Sequence, residues 1–180
     1  PRFLRGILGI ETSYPQNHTG WPWAVGAAAW VEPTVLGTLA MLRAQRTNRF
    51  PDLRARIDER FNEARKMLLD RRCADGGWNY GAPIALEVDA DSYPETTGMA
   101  ILGLHGTPPQ ALSNSMKLVR KMLAMKPHAN ATSWLQLGLS AAGEPADAGE
   151  EEAIQCRNCL DYALRVIALR ATNGVNVFLA

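Results

Sequence analysis

Two groups of residues in this chain have types and spacing that can do chemistry. The first is acidic: Asp89-Ala90-Asp91 stands just before Tyr93-Pro94-Glu95. A buried carboxylic acid with a raised pKa can donate a proton, and a second carboxylate can orient it. On this ground Asp89, Asp91 and Glu95 are the candidate catalytic residues. The same residues also suit plain structure. Asp and Ser cap helices and hold loops, and Glu95, like Glu32, occupies a first-turn position favoured by the helix dipole. The second group is aromatic: Trp21, Trp23, Trp30, Trp78 and Tyr80. They can line a ligand cavity and steady a cation through their ring faces. They can equally fill gaps between helices, each indole N–H bonded to a loop carbonyl.

Other chemistry finds little footing. Cys156 and Cys159 stand at i, i+3 with Cys73 far away, too few for a zinc site or a disulfide framework. Cys156 reads as a small core residue on a helical stripe. His18, His105 and His128 show no spacing for a shared metal, and neither a phosphate loop nor a Gly-x-Ser-x-Gly elbow is present. No metal and no cofactor is expected. A net charge of +1 leaves no footprint for nucleic acid. The arginines between Arg43 and Arg72 are interleaved with acids, as on a solvated helix face. No apolar stretch is long enough to span a membrane. The sequence leaves the compartment open. It begins with Pro1 and reads as a piece of a longer polypeptide or a processed product.

The elements that must position these residues are helices. Apolar residues at 47% against 21% charged exclude wholesale disorder, and 180 residues suffice for one domain with a real core. Residues 1–31 read as irregular, broken by Pro and Gly. Helical spacing then predicts three hairpins, at about 33–72, 94–125 and 130–170. Leu53, Ile57, Phe61, Ala64 and Leu68 form the stripe of the second helix. Leu112, Met116, Val119 and Leu123 form that of the fourth. The sixth, from about Glu150 to Arg170, carries Ala153, Cys156, Leu160, Leu164 and Ile167. In each hairpin the first helix is apolar nearly all round and rich in small residues, and the second is amphipathic. Enclosed helices alternating with surface helices describe an inner and an outer layer.

The hairpins repeat. Gly20-Trp21-Pro22-Trp23 precedes Glu32-Pro33-Thr34, and Gly76-Gly77-Trp78-Asn79-Tyr80 precedes Glu95-Thr96-Thr97. The helix starts superpose at an offset of 63, placing Glu32 on Glu95, Thr34 on Thr97 and Leu36 on Met99. A further offset of 35 places Thr132, Leu137, Gly138 and Leu139 on Thr97, Leu102, Gly103 and Leu104. Such a period marks stacked supersecondary units.

Gly-Trp loops feeding helices of small and aliphatic residues resemble the repeats of the terpenoid cyclase and protein prenyltransferase superfamily, over roughly residues 18–142. The resemblance implies an all-α fold of helical hairpins in an α/α toroid, of which three hairpins make about half a ring. It implies an isoprenoid or other apolar ligand, and cyclase or prenyltransferase activity if the chain is catalytic. The catalytic patterns differ, however. Asp89-Ala90-Asp91-Ser92 lacks the last acid of the cyclase Asp-x-Asp-Asp motif, and no Asp-x-Cys zinc pair occurs. The alternative is a non-enzymatic interaction or assembly module. An incomplete ring leaves inner helices without neighbours, so a homo-oligomer, or missing repeats of the parent chain, is expected to cover the flank at about 130–142 and the tail Val175, Val177, Phe178 and Leu179.

Overall fold

The computed structural model describes residues 20–25, 27–85, 87–145 and 155–180. The described chain is mostly helical. Helix α1 (Val31–Thr47) opens in extended backbone at Trp30, carries Glu32 in its first turn, and closes at Asn48, whose left-handed φ of 46° returns its N–H to the Gln45 carbonyl. A 3-10 turn (Pro51–Leu53) leads into α2 (Arg54–Asp70). Ile57, Phe61, Ala64, Met67 and Leu68 of α2 are buried, while Leu53 is exposed because it precedes the α-helical register. The following loop holds a minimal antiparallel ladder, β1 (Ile84–Ala85) with β2 (Val88–Asp89), in which Ile84 pairs with Asp89.

Helix α3 (Pro94–Gly103) is buried from Thr96 to Gly103, and α5 (Ala129–Ala141) is buried along nearly its whole length. Between them, α4 (Pro109–Ala124) buries Leu112, Ser115, Met116 and Val119 and exposes its charged face. Helix α6 (Cys159–Thr172) begins later than its apolar spacing predicts. The cause is a reciprocal cap. Asn158 Oδ1 accepts the Asp161 N–H at 2.9 Å, and Asp161 Oδ2 accepts the Arg157 N–H at 2.9 Å. Cys156 therefore precedes the helix and is half-buried, Cys159 is exposed, and neither is a core residue. Leu160 faces solvent, and the expected helical residues 150–154 lie outside the described residues.

Helices α1, α3 and α5 lie side by side in sequence order, and α2, α4 and α6 each pack on the first helix of their own hairpin. The α3–α5 contact is the closest. A Cβ built on Gly98 would lie 2.3 Å from the Trp134 carbonyl carbon, and one on Gly138 would lie 2.8 Å from the Gly98 oxygen. Only glycine lets the two backbones approach this far. Gly103 faces the other way, towards Val35 of α1 and Leu68 of α2. Ile101 and Leu104 face α4, lining a groove with Leu112 and Met116. At 100° per residue this leaves Met99 pointing to the side opposite α4, the face that the expected two-layer arrangement would turn inward.

Leu36, Met99 and Trp134 occupy equivalent positions by the two offsets, so the side-by-side helices α1, α3 and α5 carry them as a row. The segment after α6 crosses it. The Phe178 ring lies 5.9 Å from Trp134, the Asn176 amide reaches the Leu137 carbonyl at 3.4 Å, and Arg43 of α1 donates to the Ala180 carbonyl. Met99 is 7% exposed and Trp134 8%, whereas Leu36 is 45% exposed. This corrects the expected location of the open flank. Helix α5 is covered by α6 and by the chain's own tail, with Phe178 and Leu179 packed against the core, although Val175 and Val177 stay exposed. Among the described residues, the helix left open is α1.

Candidate functional site

Two helix starts share one hydrogen-bond frame, and a third uses its equivalent threonine in a simpler way. In the first hairpin the Trp21 N–H donates to Thr34 Oγ1 at 2.9 Å, and the Trp21 carbonyl accepts the Trp30 N–H at 3.1 Å. In the second, the Trp78 N–H donates to Thr97 Oγ1 at 3.0 Å, and the Trp78 carbonyl accepts the Tyr93 N–H at 2.9 Å. In the third, which has no Gly-Trp loop, the Thr132 hydroxyl donates to the Pro127 carbonyl at 3.0 Å. Each threonine thus satisfies polar groups of the chain entering its helix, a local competition for backbone partners that fixes helix starts.

The two tryptophans differ in depth. Trp78 is fully buried, and its indole N–H donates to Leu68 O of α2 at 2.5 Å. Trp21 is only half-buried; its ring lies against Gly37, with the Arg60 guanidinium 4.6 Å above it. Trp78 inserts against the preceding hairpin, and no described hairpin precedes Trp21. Trp23 is 60% exposed, and Trp30 and Tyr80 are also on the surface. The five aromatics named from sequence therefore do not converge on one enclosed cavity among the described residues.

The acids also separate. Asp89 and Asp91 are exposed in the loop, and no side chain caps α3. Their charges, with that of Asp75, act on the buried Cys73 thiol, whose pKa is raised first by desolvation and then by these acids. Glu95 belongs to another cluster. Its carboxylate meets His128 Nε2 at 2.7 Å, linking the second position of α3 to the N-cap of α5. The Glu95 side chain is 19% exposed, and that of His128 55%.

Beside this pair the Tyr80 and Tyr93 rings meet at 5.4 Å and 40°. The Tyr80 carbonyl accepts the Val31 N–H at 3.0 Å, which fixes this loop to the start of α1 next to Glu32. Burial raises the Tyr80 phenol pKa first, and the charges of Glu95 and Glu32 raise it further. Desolvation raises the Glu32 carboxyl, which has no hydrogen-bond or ion-pair partner among the described residues. A partly desolvated carboxyl, a carboxylate–imidazole pair and two phenols thus line one rim, at the N-terminal ends of α1, α3 and α5.

No family model, curated protein or solved structure matches this chain. The site therefore stands on its own geometry. Among the described residues no group of three or more His, Cys, Asp or Glu is arranged to hold a metal ion. Likewise, no described helix is long and apolar enough to cross a membrane.

Tyr93 and His128 were not singled out by sequence. The signal for both is the repeat. The two offsets align Trp30, Tyr93 and His128 as the N-caps of successive inner helices. In a side-by-side row, the cap of one helix falls near the first turn of its neighbour, which is how His128 reaches Glu95.

Proposed function

We propose that this chain is an α/α repeat domain of the terpenoid cyclase and prenyltransferase kind, forming part of a toroid, and that its inner face receives an apolar ligand such as an isoprenoid. The observation that carries this reading is the row Leu36, Met99 and Trp134. Equivalent positions of three hairpins carry apolar side chains, and an apolar segment of the chain itself already lies on one of them, Phe178 on Trp134. Leu36, 45% exposed, is the end of that row that no described residue covers. Asp89 and Asp91 are exposed, and this reading assigns them no role.

The test is titration with farnesol, read by quenching of intrinsic tryptophan fluorescence. Leu36→Asp is expected to weaken binding at least tenfold without lowering the melting temperature, since the position is already half-open. Absence of saturable binding, or binding indifferent to Leu36→Asp, overturns the reading.

A second reading is favoured by the Glu95–His128 pair. A carboxylate that orients an imidazole is a working acid–base unit, and this one stands at the rim of the inner face. In that case the domain is an enzyme that protonates a polyprene. Product formation from squalene that is lost in Glu95→Gln and retained in Asp91→Asn would support it; no product from the unaltered chain would exclude it. The assembly alternative uses the same exposed edge. Light scattering that gives a concentration-dependent mass above 19.7 kDa, abolished by Leu36→Asp, would favour a second copy as the occupant.

A further inference from the structure

The interleaving of charges expected of a solvated face holds from Ile57 to Arg72 but not before it. From Arg43 to Arg56, five arginines stand against one acid, Asp52. This excess surrounds the connection between α1 and α2, at the opposite end of α1 from the rim. Every residue there from Arg46 to Arg56 is exposed. Two of them are large and apolar: Phe50 is 48% exposed and Leu53 46%. The Leu53 N–H donates to the Phe50 carbonyl at 3.1 Å, and residues three apart on such a 3-10 turn project to the same side. The Arg49 guanidinium lies 5.9 Å from the centre of the Phe50 ring. Arg43 is engaged by the Ala180 carbonyl, Asp58 is held by Arg54 at 3.2 Å, and Glu63 by Arg60 at 2.5 Å. Arg46 and Arg56, and the acids Asp52 and Glu59, have no hydrogen-bond or ion-pair partner among the described residues. Over the whole stretch from Arg43 to Glu63, six arginines oppose four acids, so the balance stays positive.

We infer that this tip docks on the surface of a bilayer containing anionic phospholipid. Phe50 and Leu53 enter the boundary between head groups and acyl chains, and Arg46, Arg49 and Arg56 meet the phosphates. Such binding sums the apolar area buried and the attraction of cations to anionic lipid, and the tip supplies both at one point. Its backbone suits that boundary. Pro51 has no N–H, and the N–H groups of Asn48, Leu53 and Arg54 are bonded to the carbonyls of Gln45, Phe50 and Pro51, so entry leaves none of these donors unmet. Other occupants fit less well. A protein partner normally takes about 800 Å² from each side, far more than two half-exposed side chains offer. Nucleic acid would match the arginines but gives Leu53 no ring to stack on a base.

The test is co-sedimentation of the whole chain with vesicles of phosphatidylcholine alone, and of phosphatidylcholine and phosphatidylserine in equal parts. Binding to the mixed vesicles is expected, at least tenfold tighter than to phosphatidylcholine. Arg46→Gln and Arg56→Gln should each weaken it about fivefold. Phe50→Ser combined with Leu53→Ser should weaken it at least tenfold, while Lys121→Gln on α4 should change nothing. All five positions are exposed, so the melting temperatures should match the parent and report intact folds. Fluorine-labelled phenylalanine gives the location. The Phe50 resonance, identified by its absence in Phe50→Ser, should be broadened by nitroxide-labelled lipid more strongly than that of buried Phe61. Equal binding to both kinds of vesicle, indifference to either arginine change or to the apolar pair, or no selective broadening at Phe50 each overturns the assignment. So does binding to a duplex oligonucleotide that is as tight as to the mixed vesicles and indifferent to Phe50→Ser. The vesicles hold no isoprenoid and farnesol binding is read at Leu36, roughly 16 Å along α1 from Thr47, so neither result decides the other.

Discussion

Gly98→Ala is the sharpest probe of how this fold is held. Taken as a helix-interior substitution, it should stabilise, since Ala exceeds Gly by about 1 kcal/mol in helix propensity. The environment reverses the sign. The new Cβ would stand 2.3 Å from the carbonyl carbon and 2.4 Å from the oxygen of Trp134, both backbone atoms that no rotamer change can move. Ordinary contact begins near 3.4 Å, so α3 and α5 must part by roughly 1 Å. A gap of that size forfeits about a quarter to a half of the dispersion energy of the atoms facing it, along the most closely packed pair of helices in the molecule. A net loss of about 3 kcal/mol is expected after the propensity gain. For a chain of this length it lowers the melting temperature by roughly 6–12 °C. Gly103→Ala is the control. Its Cβ meets only side-chain methyls of Val35 and Leu68, at 3.2 and 3.3 Å, which can give slightly; a change within about 1 kcal/mol is expected. Gly138→Ala opens the same gap as Gly98→Ala, so the double variant should lose less than the sum of the singles. Thermal unfolding followed by circular dichroism reads all four. A Gly98→Ala protein that melts at or above the parent temperature would refute the packing argument.

Three further outcomes follow from the burial and capping described above. Trp78→Ala should cost about 3–5 kcal/mol in urea unfolding. Trp78→Phe should cost only about 1 kcal/mol beyond its lost area, because Leu68 O keeps the Arg71 N–H at 3.2 Å; equal losses would show that the indole bond and not the packing dominates. Asn158→Ala should remove about 1 kcal/mol by uncapping α6, and an unchanged urea midpoint would mean the cap contributes nothing. Desolvation raises the folded-state pKa of Glu32 above 4.5, so the folded chain holds that proton more tightly than the unfolded chain. The associated stability is present below pH 4.5 and is lost as pH rises through the folded value. Glu32→Gln removes that loss, so its melting temperature relative to the parent should rise from pH 4 to pH 7; a relative fall would show that the helix dipole outweighs desolvation at this position.

The periodic parts of the chain were legible in its sequence because burial imposes a 3.6-residue rhythm on them. The stripes of α2 and α4 were read from their spacing, apart from Leu53, which is exposed before α2, and the enclosed character of α3 and α5 followed from their lack of a polar face. Helix α6 misled, since its apolar spacing continues back through Cys156 and only the Asn158–Asp161 cap, a local hydrogen-bond choice, stops it. The candidate site was legible in part. Glu95 and Tyr80 stood out by repetition, but Asp89 and Asp91 drew attention through spacing alone, and spacing within a loop does not fix direction. His128 was silent because its partner is supplied by a different helix. Burial of Trp78 but not Trp21 depends on whether a hairpin precedes the loop, which neither tryptophan's own neighbours encode.

The threonine frame has a consequence for how such a chain can change. Thr34 holds the loop 13 residues upstream, and Thr97 holds its counterpart 19 residues upstream. The extra length in the second loop includes the Ile84–Asp89 ladder, yet the entry into α3 keeps the hydrogen bonds of the entry into α1. Two pinned points with a free length of chain between them behave like a clasp with an adjustable strap. Residues can be added or removed inside the strap without disturbing the register of the helix that follows. The segments between clasp points are therefore where this architecture can accept insertions, and they all open on the rim that carries Glu32, Tyr80, Glu95 and His128. New surface can be grown around that rim while the helices beneath it stay as they are.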